Sequence, residues 1–185
     1  MVPELLSEAE SRMTKSVDAL KRELQTLRTG RASPTLVERL SVEYYGTPTP
    51  LQQLATIHAP EPRLLVIQPY DKGSFGAIEK AILKSDLGLN PTNDGKVIRL
   101  NIPALTEERR REMVKVARKR VEEGRVAVRN VRRDVHKDMT EFEVEKMISR
   151  DELTRAEDRV QKLTDEQTHK IDELLKRKEA EIMEV

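Results

Sequence analysis

Apolar positions recur along the first 27 residues at steps of three and four: Leu6, Ala9, Met13, Val17, Leu20, Leu24 and Leu27. That period keeps them on one face of a helix. Pro3 suits its first turn, where a missing amide donor is not needed. The same spacing returns beyond residue 105. Val114, Ala117, Val121, Gly124, Val128, Val131, Val135, Met139 and Phe142 form a narrow seam with one glycine interruption. Thr106 stands where an N-cap belongs, and Glu107 and Glu108 complement the positive end of the helix dipole. Ser149 to Glu152 spells a capping box that restarts the chain after a short turn. Leu153, Ala156, Val160, Leu163, Ile171 and Leu174 then give a third seam, with Gln167 as a polar interruption. The pattern predicts three helices of about 25, 40 and 33 residues, the second roughly 60 Å long. Propensity alone does not hold such helices, so the seams pack on one another or against another chain.

The middle of the chain is built differently. Eight of the nine prolines lie between Pro34 and Pro103, and six of the seven glycines between Gly30 and Gly95. Breakers at this density predict short strands and turns. Val42 to Tyr45, Ala55 to His58 and Leu64 to Gln68 are β-branched or aromatic runs bounded by Gly and Pro. Ser74 to Leu83 reads as a short amphipathic helix with Ile78 and Ile82 four apart, and Gly88 sits where a C-terminal cap is expected. Asn93, Asp94 and Gly95 turn the chain into Val97 to Ile102, whose alternation favours a half-buried strand. The fold class expected is α+β: an elongated antiparallel three-helix bundle, residues 1–29 and 106–185, with a small inserted α/β domain, a β/α/β sandwich, at 30–105. The two connections, near Gly30 and near Pro103, fall at one end of the rod and permit a hinge.

Composition agrees with slender elements. Charged residues reach 36% and apolar ones only 37%. Half the chain is Ala, Glu, Lys, Leu or Arg, as in long helices. With no cysteine, disulfides and thiolate metal sites are excluded. Nothing resembles a signal peptide or a membrane span, so a soluble, cytoplasmic protein is expected. His58, His136 and His169 are far apart and lack metal-ligand spacing, and no phosphate-loop, dinucleotide or hydrolase motif occurs. No metal, cofactor or catalytic residue is expected.

The net charge of +1 argues by itself against a nucleic-acid partner. Its distribution reverses that inference. Residues 109–133 hold eleven basic side chains against Glu112, Glu122 and Glu123, or +8 over 25 residues, while 151–185 carry −4. At 100° per residue Arg111, Lys115, Arg118, Arg129 and Arg133 share one stripe away from the valine seam, with Arg125 and Arg132 on its border. Pairing with the acidic third helix accounts for some of these charges, but stacked arginines opposite the seam do not all reach it. Arginine dominates the set, which favours bidentate phosphate contacts. Aromatic residues are 3%, with no paired platform for unpaired bases. A structured nucleic-acid backbone, read by shape and charge, is the expected target.

Several blocks of the sequence resemble the bacterial ribosome recycling factor family: RTGRASP at 28–34, VEYYGTPTPLQQLA at 42–55, SDLGLNP at 85–91, IPALTEERR at 102–110, RVAVRNVRRD at 125–134 and VQKLTDE at 160–166. They fall in the family's order and span nearly the whole chain. The resemblance implies an L-shaped, tRNA-sized monomer that binds large-subunit ribosomal RNA of the post-termination ribosome. With elongation factor G and GTP it would split that ribosome into subunits, without being a GTPase itself. Matched residue by residue, the implied RNA contacts are Arg28, Gly30, Arg31, Arg110, Arg129, Asn130, Arg132 and Arg133, to which the stripe adds Arg118. The implied hinge comprises Gly30, Arg31, Pro103, Ala104 and Leu105. Residues 136–148 carry fewer basic residues than the family does there, so RNA contact is expected to end near Asp134, and Gln167 and His169 occupy a stretch that is more often apolar or bulky in the family. The competing reading is a helical coiled-coil scaffold whose seams pair between chains. An enzyme built on carboxylates ranks third.

Overall fold

The computed structural model describes residues 1–27 and 29–184. Its elements in chain order are α1 (Val2–Gln25), β1 (Ser41–Tyr44), β2 (Thr47–Pro50), β3 (Ala55–Glu61), β4 (Leu64–Pro69), α2 (Phe75–Lys84), β5 (Pro91–Asn93), β6 (Ile98–Asn101), α3 (Glu107–Val144) and α4 (Arg150–Met183), with short 3-10 turns between. They form two compact units, Met1–Arg28 with Glu107–Glu184, and Thr29–Thr106. Arg28 itself lies outside the described residues.

In the helical unit the three seams meet in one core. Leu6, Ala9, Met13, Val17, Leu20 and Leu24 of α1 pack with Ala117, Val121, Val128, Val131, Val135 and Met139 of α3 and Ala156, Val160, Ile171 and Ile182 of α4. Surface ion pairs give the directions. Arg12 meets Asp134 at 2.8 Å and Glu23 meets Arg120 at 3.6 Å, so α1 and α3 run antiparallel. Arg118 to Glu179 and Arg125 to Asp172 do the same for α3 and α4, as does the contact of His136 with Glu157.

The glycine interruption of the second seam proves to be a contact point. A Cβ on Gly124 would lie 2.8 Å from Leu20 Cδ2, so α1 and α3 approach too closely there for any side chain without a shift. α3 ends in a Schellman motif: the amide of Met147 donates to the carbonyl of Phe142 and that of Lys146 to Glu143, with Lys146 at φ 61°. Ser149 then opens α4 with the capping box that the sequence spells, its hydroxyl accepting from Glu152 N and the Glu152 carboxylate from Ser149 N at 2.7 Å. The polar residues of the third seam are core residues. Gln167 is 3% exposed with Oε1 enclosed and unbonded among the described residues, and the Thr164 hydroxyl, 5% exposed, donates back to Val160 O. Lys178, four residues beyond Leu174 of that seam, is also buried and reaches Glu181 at 3.4 Å.

The second unit is a four-stranded antiparallel sheet in the order β3-β4-β6-β5 plus a β1–β2 hairpin. Leu65, Ile67, Ile98 and Leu100 from the sheet, Phe75, Ile78 and Ile82 from α2, and Val42 from the hairpin share one core. Two strands escape the sequence pattern. β2 and β5 carry Pro48, Pro50 and Pro91, residues that central strands exclude but edge strands tolerate. Tyr45 leaves the expected first strand. It and Gly46 form a two-residue turn with φ 49° and 77°, the both-positive geometry of a type I′ hairpin. Gly88 does not cap α2. Ser85 does, its hydroxyl donating to Ile82 O at 2.6 Å, and Gly88 serves a later turn at φ 65°.

Both linker segments are tied to the β3–β4 hairpin. The Ala32 amide donates to Pro62 O at 2.7 Å and the Ile102 amide to Arg63 O at 2.8 Å. Among the described residues no helix is long and apolar enough to cross a membrane.

Candidate nucleic-acid interface

The seam of α3 sets the direction of everything else on that helix. With Ala117, Val121, Val128 and Val135 turned inward, the helical period sends Lys115, Lys119, Arg129, Asn130 and Arg133 to the outer face, and all five are exposed. Arg118 and Arg132 are exposed on the flank that borders α4, the flank fixed by the ion pair of Arg118.

Helix register decides which cations are already partnered. Arg118 Nε reaches Glu179 Oε1 at 2.6 Å, and Arg125 Nη2 reaches Asp172 Oδ1 at 2.6 Å, so two of the arginines do find the acidic helix. Arg125 and Arg129 also converge on Glu122, the latter at 2.7 Å. The result is a surface chain Asp172, Arg125, Glu122, Arg129. The Arg129 hydrogen bond, then that of Arg125, hold the Glu122 carboxyl below its ordinary value. The Asp172 carboxylate raises the Arg125 guanidinium further. Arg109 pairs with Glu112, and Arg111 with Glu107 at 2.5 Å.

Among the described residues, Lys115, Lys119, Arg132 and Arg133 pair with no carboxylate. The Arg133 guanidinium instead donates to Asn130 Oδ1 at 3.2 Å. These four, with Asn130, are a cationic surface that the protein does not neutralise. The partnered arginines are not withdrawn from it. Solvent-exposed ion pairs are weak, and a guanidinium bonded through one nitrogen keeps further donors for a phosphate.

Other expected contacts fall elsewhere. Arg110 is turned toward the seam side, partly buried, with Nε enclosed and unbonded among the described residues. Gly30 and Arg31 belong to the α/β unit. Gly30 is buried at φ 76°, and a Cβ there would come within 3.0 Å of Leu105 Cγ. Arg31 is exposed. Arg28 is not among the described residues. His136 of the low-charge stretch binds Glu157 at 2.9 Å. No group of three or more His, Asp or Glu among the described residues is placed to hold a metal.

Two tyrosines meet in the α/β unit. Tyr44 and Tyr45 form an edge-to-face pair with ring centroids 4.5 Å apart, and both hydroxyls donate to Asp71 Oδ2, at 3.1 and 3.4 Å. Asp71 Oδ1 accepts from Gly73 N. That backbone bond, followed by the Tyr44 hydroxyl, lowers the Asp71 carboxyl, while the carboxylate raises the Tyr44 phenol. The adjacent pair at 44–45 was the available signal in the sequence. Asp71 was not, because only the hairpin brings it there.

A three-helix unit with α3 cations left without carboxylate partners among the described residues, together with a separate small α/β unit, places the chain in the two-unit α+β class. Comparison with known proteins makes it specific: residues 20–183 match the family described as Ribosome recycling factor, and the chain belongs to that family. The ribosome-recycling factor of Carboxydothermus hydrogenoformans is 60% identical over the full length of both chains. A solution structure of a ribosome recycling factor superposes with TM-score 0.79 at 49% identity, covering 100% of this chain and 98% of the other. A model of the T. thermophilus ribosome recycling factor, described together with E. coli elongation factor G bound to the E. coli post-termination complex, gives TM-score 0.68 at 50% identity over 99% of each chain.

Proposed function

We propose that this protein binds large-subunit ribosomal RNA of the post-termination ribosome through the outer face of α3 and, with elongation factor G and GTP, separates the subunits in the cytoplasm. The observation that carries the reading is the group of exposed α3 cations between 115 and 133 that pair with no carboxylate among the described residues, Lys115, Lys119, Arg132 and Arg133, beside exposed Asn130. Phosphates would replace the water that now solvates these groups. Arg118 and Arg129 would exchange Glu179 and Glu122 for phosphate oxygens at little cost, because both pairs face solvent. Arg31 would add a contact from the α/β unit, and Arg28 and Arg110 would follow in the role that the family resemblance gives them.

The segments around Gly30 and Arg31 and around Pro103, Ala104 and Leu105 act as the hinge between a bundle domain, 1–29 and 106–185, and the inserted domain, 30–105. Closure of all three apolar seams inside one chain supports a monomer over a coiled-coil scaffold. The protein contributes position and charge, while hydrolysis belongs to the GTPase.

Phosphate contacts release counterions, so affinity falls steeply with salt. Arg132→Ala keeps helical propensity and removes one exposed cation. Measured as large-subunit binding across a salt series, it should weaken affinity and flatten the log–log salt slope by roughly 1. Unchanged affinity and slope would remove Arg132 from the interface. Splitting of post-termination ribosomes, with the factor, elongation factor G and GTP omitted in turn, tests the activity. Splitting that proceeds without the factor refutes it.

A further inference from the structure

All three tyrosines of the chain stand in one neighbourhood of the α/β unit, and the fold accounts for only one of them. Tyr44 is half-buried against the core. Tyr45 is 83% exposed and Tyr70 is 70% exposed. Tyr70 precedes Asp71, the residue that receives the hydroxyls of Tyr44 and Tyr45, and its own hydroxyl lies 3.4 Å from Thr56 Oγ1.

The hairpin gives no reason for a tyrosine at 45. A type I′ turn needs a left-handed residue there, and Asn, Asp or Gly meet that need with least strain. The chain places an aromatic residue at φ 49° instead, and leaves its ring in solvent. The ring is also held: its hydroxyl is fixed by Asp71 and its edge or face by Tyr44. Rigid, exposed tyrosines with few rotatable bonds are the side chains that anchor protein interfaces.

We infer that Tyr45, Tyr70 and Asp71 form a docking surface for a protein partner, and that the occupant is an arginine or lysine side chain of that partner. The charge argues for a cation. A phenol that donates its proton toward a carboxylate becomes more electron-rich, which strengthens the attraction of its ring for a cation. The same carboxylate repels the phosphate that accompanies every nucleobase, so stacking of unpaired RNA is the disfavoured alternative. The surface lies on the unit that does not carry α3, and its test is separable from that of the RNA interface although both use ribosomal complexes.

The full-length protein carrying the photoreactive analogue p-benzoylphenylalanine at position 45 is irradiated in a complex of post-termination ribosomes, elongation factor G and a non-hydrolysable GTP analogue. The expected adduct is a protein peptide containing Arg or Lys. An adduct to ribosomal RNA, or none, overturns the inference. Tyr45→Asn suits the turn better, so its melting temperature should equal or exceed that of the parent while splitting slows about tenfold at unchanged large-subunit affinity. Tyr45→Phe keeps the ring and should stay within about twofold of the parent. A Tyr45→Asn protein that splits at the parent rate also overturns the inference. Lys72→Ala discriminates the partners: it should not slow splitting, whereas a slowing matched to that of Tyr45→Asn would indicate a phosphate-bearing partner and refute a cationic one.

Discussion

The two units solve the problem of a modest core in opposite ways. The bundle uses small residues at its contacts, Ala9, Ala117, Gly124 and Ala156, so that long helices approach closely, and it lines its surface with ion pairs that match one helix to the next. The α/β unit uses large branched residues, Leu65, Ile67, Ile78, Ile82, Ile98 and Leu100, all fully buried, and its ion pair of Arg99 with Asp94 stays within a turn. The first core is limited by space and the second by apolar volume. The bundle should therefore fail when atoms are added, and the α/β unit when they are removed.

The largest effect is expected from removal. Ile98→Ala empties a fully buried position on β6 and should cost about 2–5 kcal/mol of the α/β unit's stability. Hydrogen exchange should then accelerate in β4 and β6 while α3 amides keep their protection. Equal loss in α3 would show that the two cores unfold together and would break the comparison.

Glycine substitutions probe addition. Gly76 lies in α2 with open space around its Cβ position, and Gly124 lies against Leu20. Gly76→Ala should stabilise by about 0.4–1 kcal/mol through the unfolded chain. Gly124→Ala gains the same helical preference and loses it again to overpacking, so it should fall at least about 1 kcal/mol below Gly76→Ala in denaturant unfolding. Equal gains at both sites would mean that α1 and α3 have slack between them.

The smallest effect is a pH dependence confined to the α/β unit. Asp94 accepts from the backbone amides of Val97 and Lys96, each at 2.9 Å, and from the Arg99 guanidinium, and its carboxyl is lowered from 3.8 to about 2. A folded value below the unfolded one means that the stabilisation is present above about pH 4 and is lost as pH falls through about 2. The melting-temperature gap between the parent and Asp94→Asn should be constant above pH 5 and shrink between pH 4 and 2. A gap that does not change over that range would show that the turn does not depend on the ionised carboxylate.

Legibility followed the same division. The bundle was readable because a helical seam repeats locally: Leu6 to Leu24, Ala117 to Met139 and the Ser149 capping box are all found in their expected roles. The α/β unit was readable only where strands alternate, as in β6. β2 and β5 were hidden by their prolines, and the hairpin turn at Tyr45 and Gly46 was absorbed into an expected strand. The cationic face was visible as +8 over 25 residues of sequence. Which of its members are free was not, because Arg118 and Arg125 find Glu179 and Asp172 only through the α3 to α4 register, 61 and 47 residues away.

The sequence by itself determined the helices, their apolar faces and the sign of the charge on α3, since each is written in spacing that a single element can read. Tertiary structure alone decided that Gly124 is a contact and not a break, that Gln167 and Lys178 are enclosed despite their polarity, which cations stay unpaired, and that Asp71 meets Tyr44 and Tyr45. Those outcomes depend on which distant segments come within a few ångströms of one another, and local periodicity carries no information about that distance.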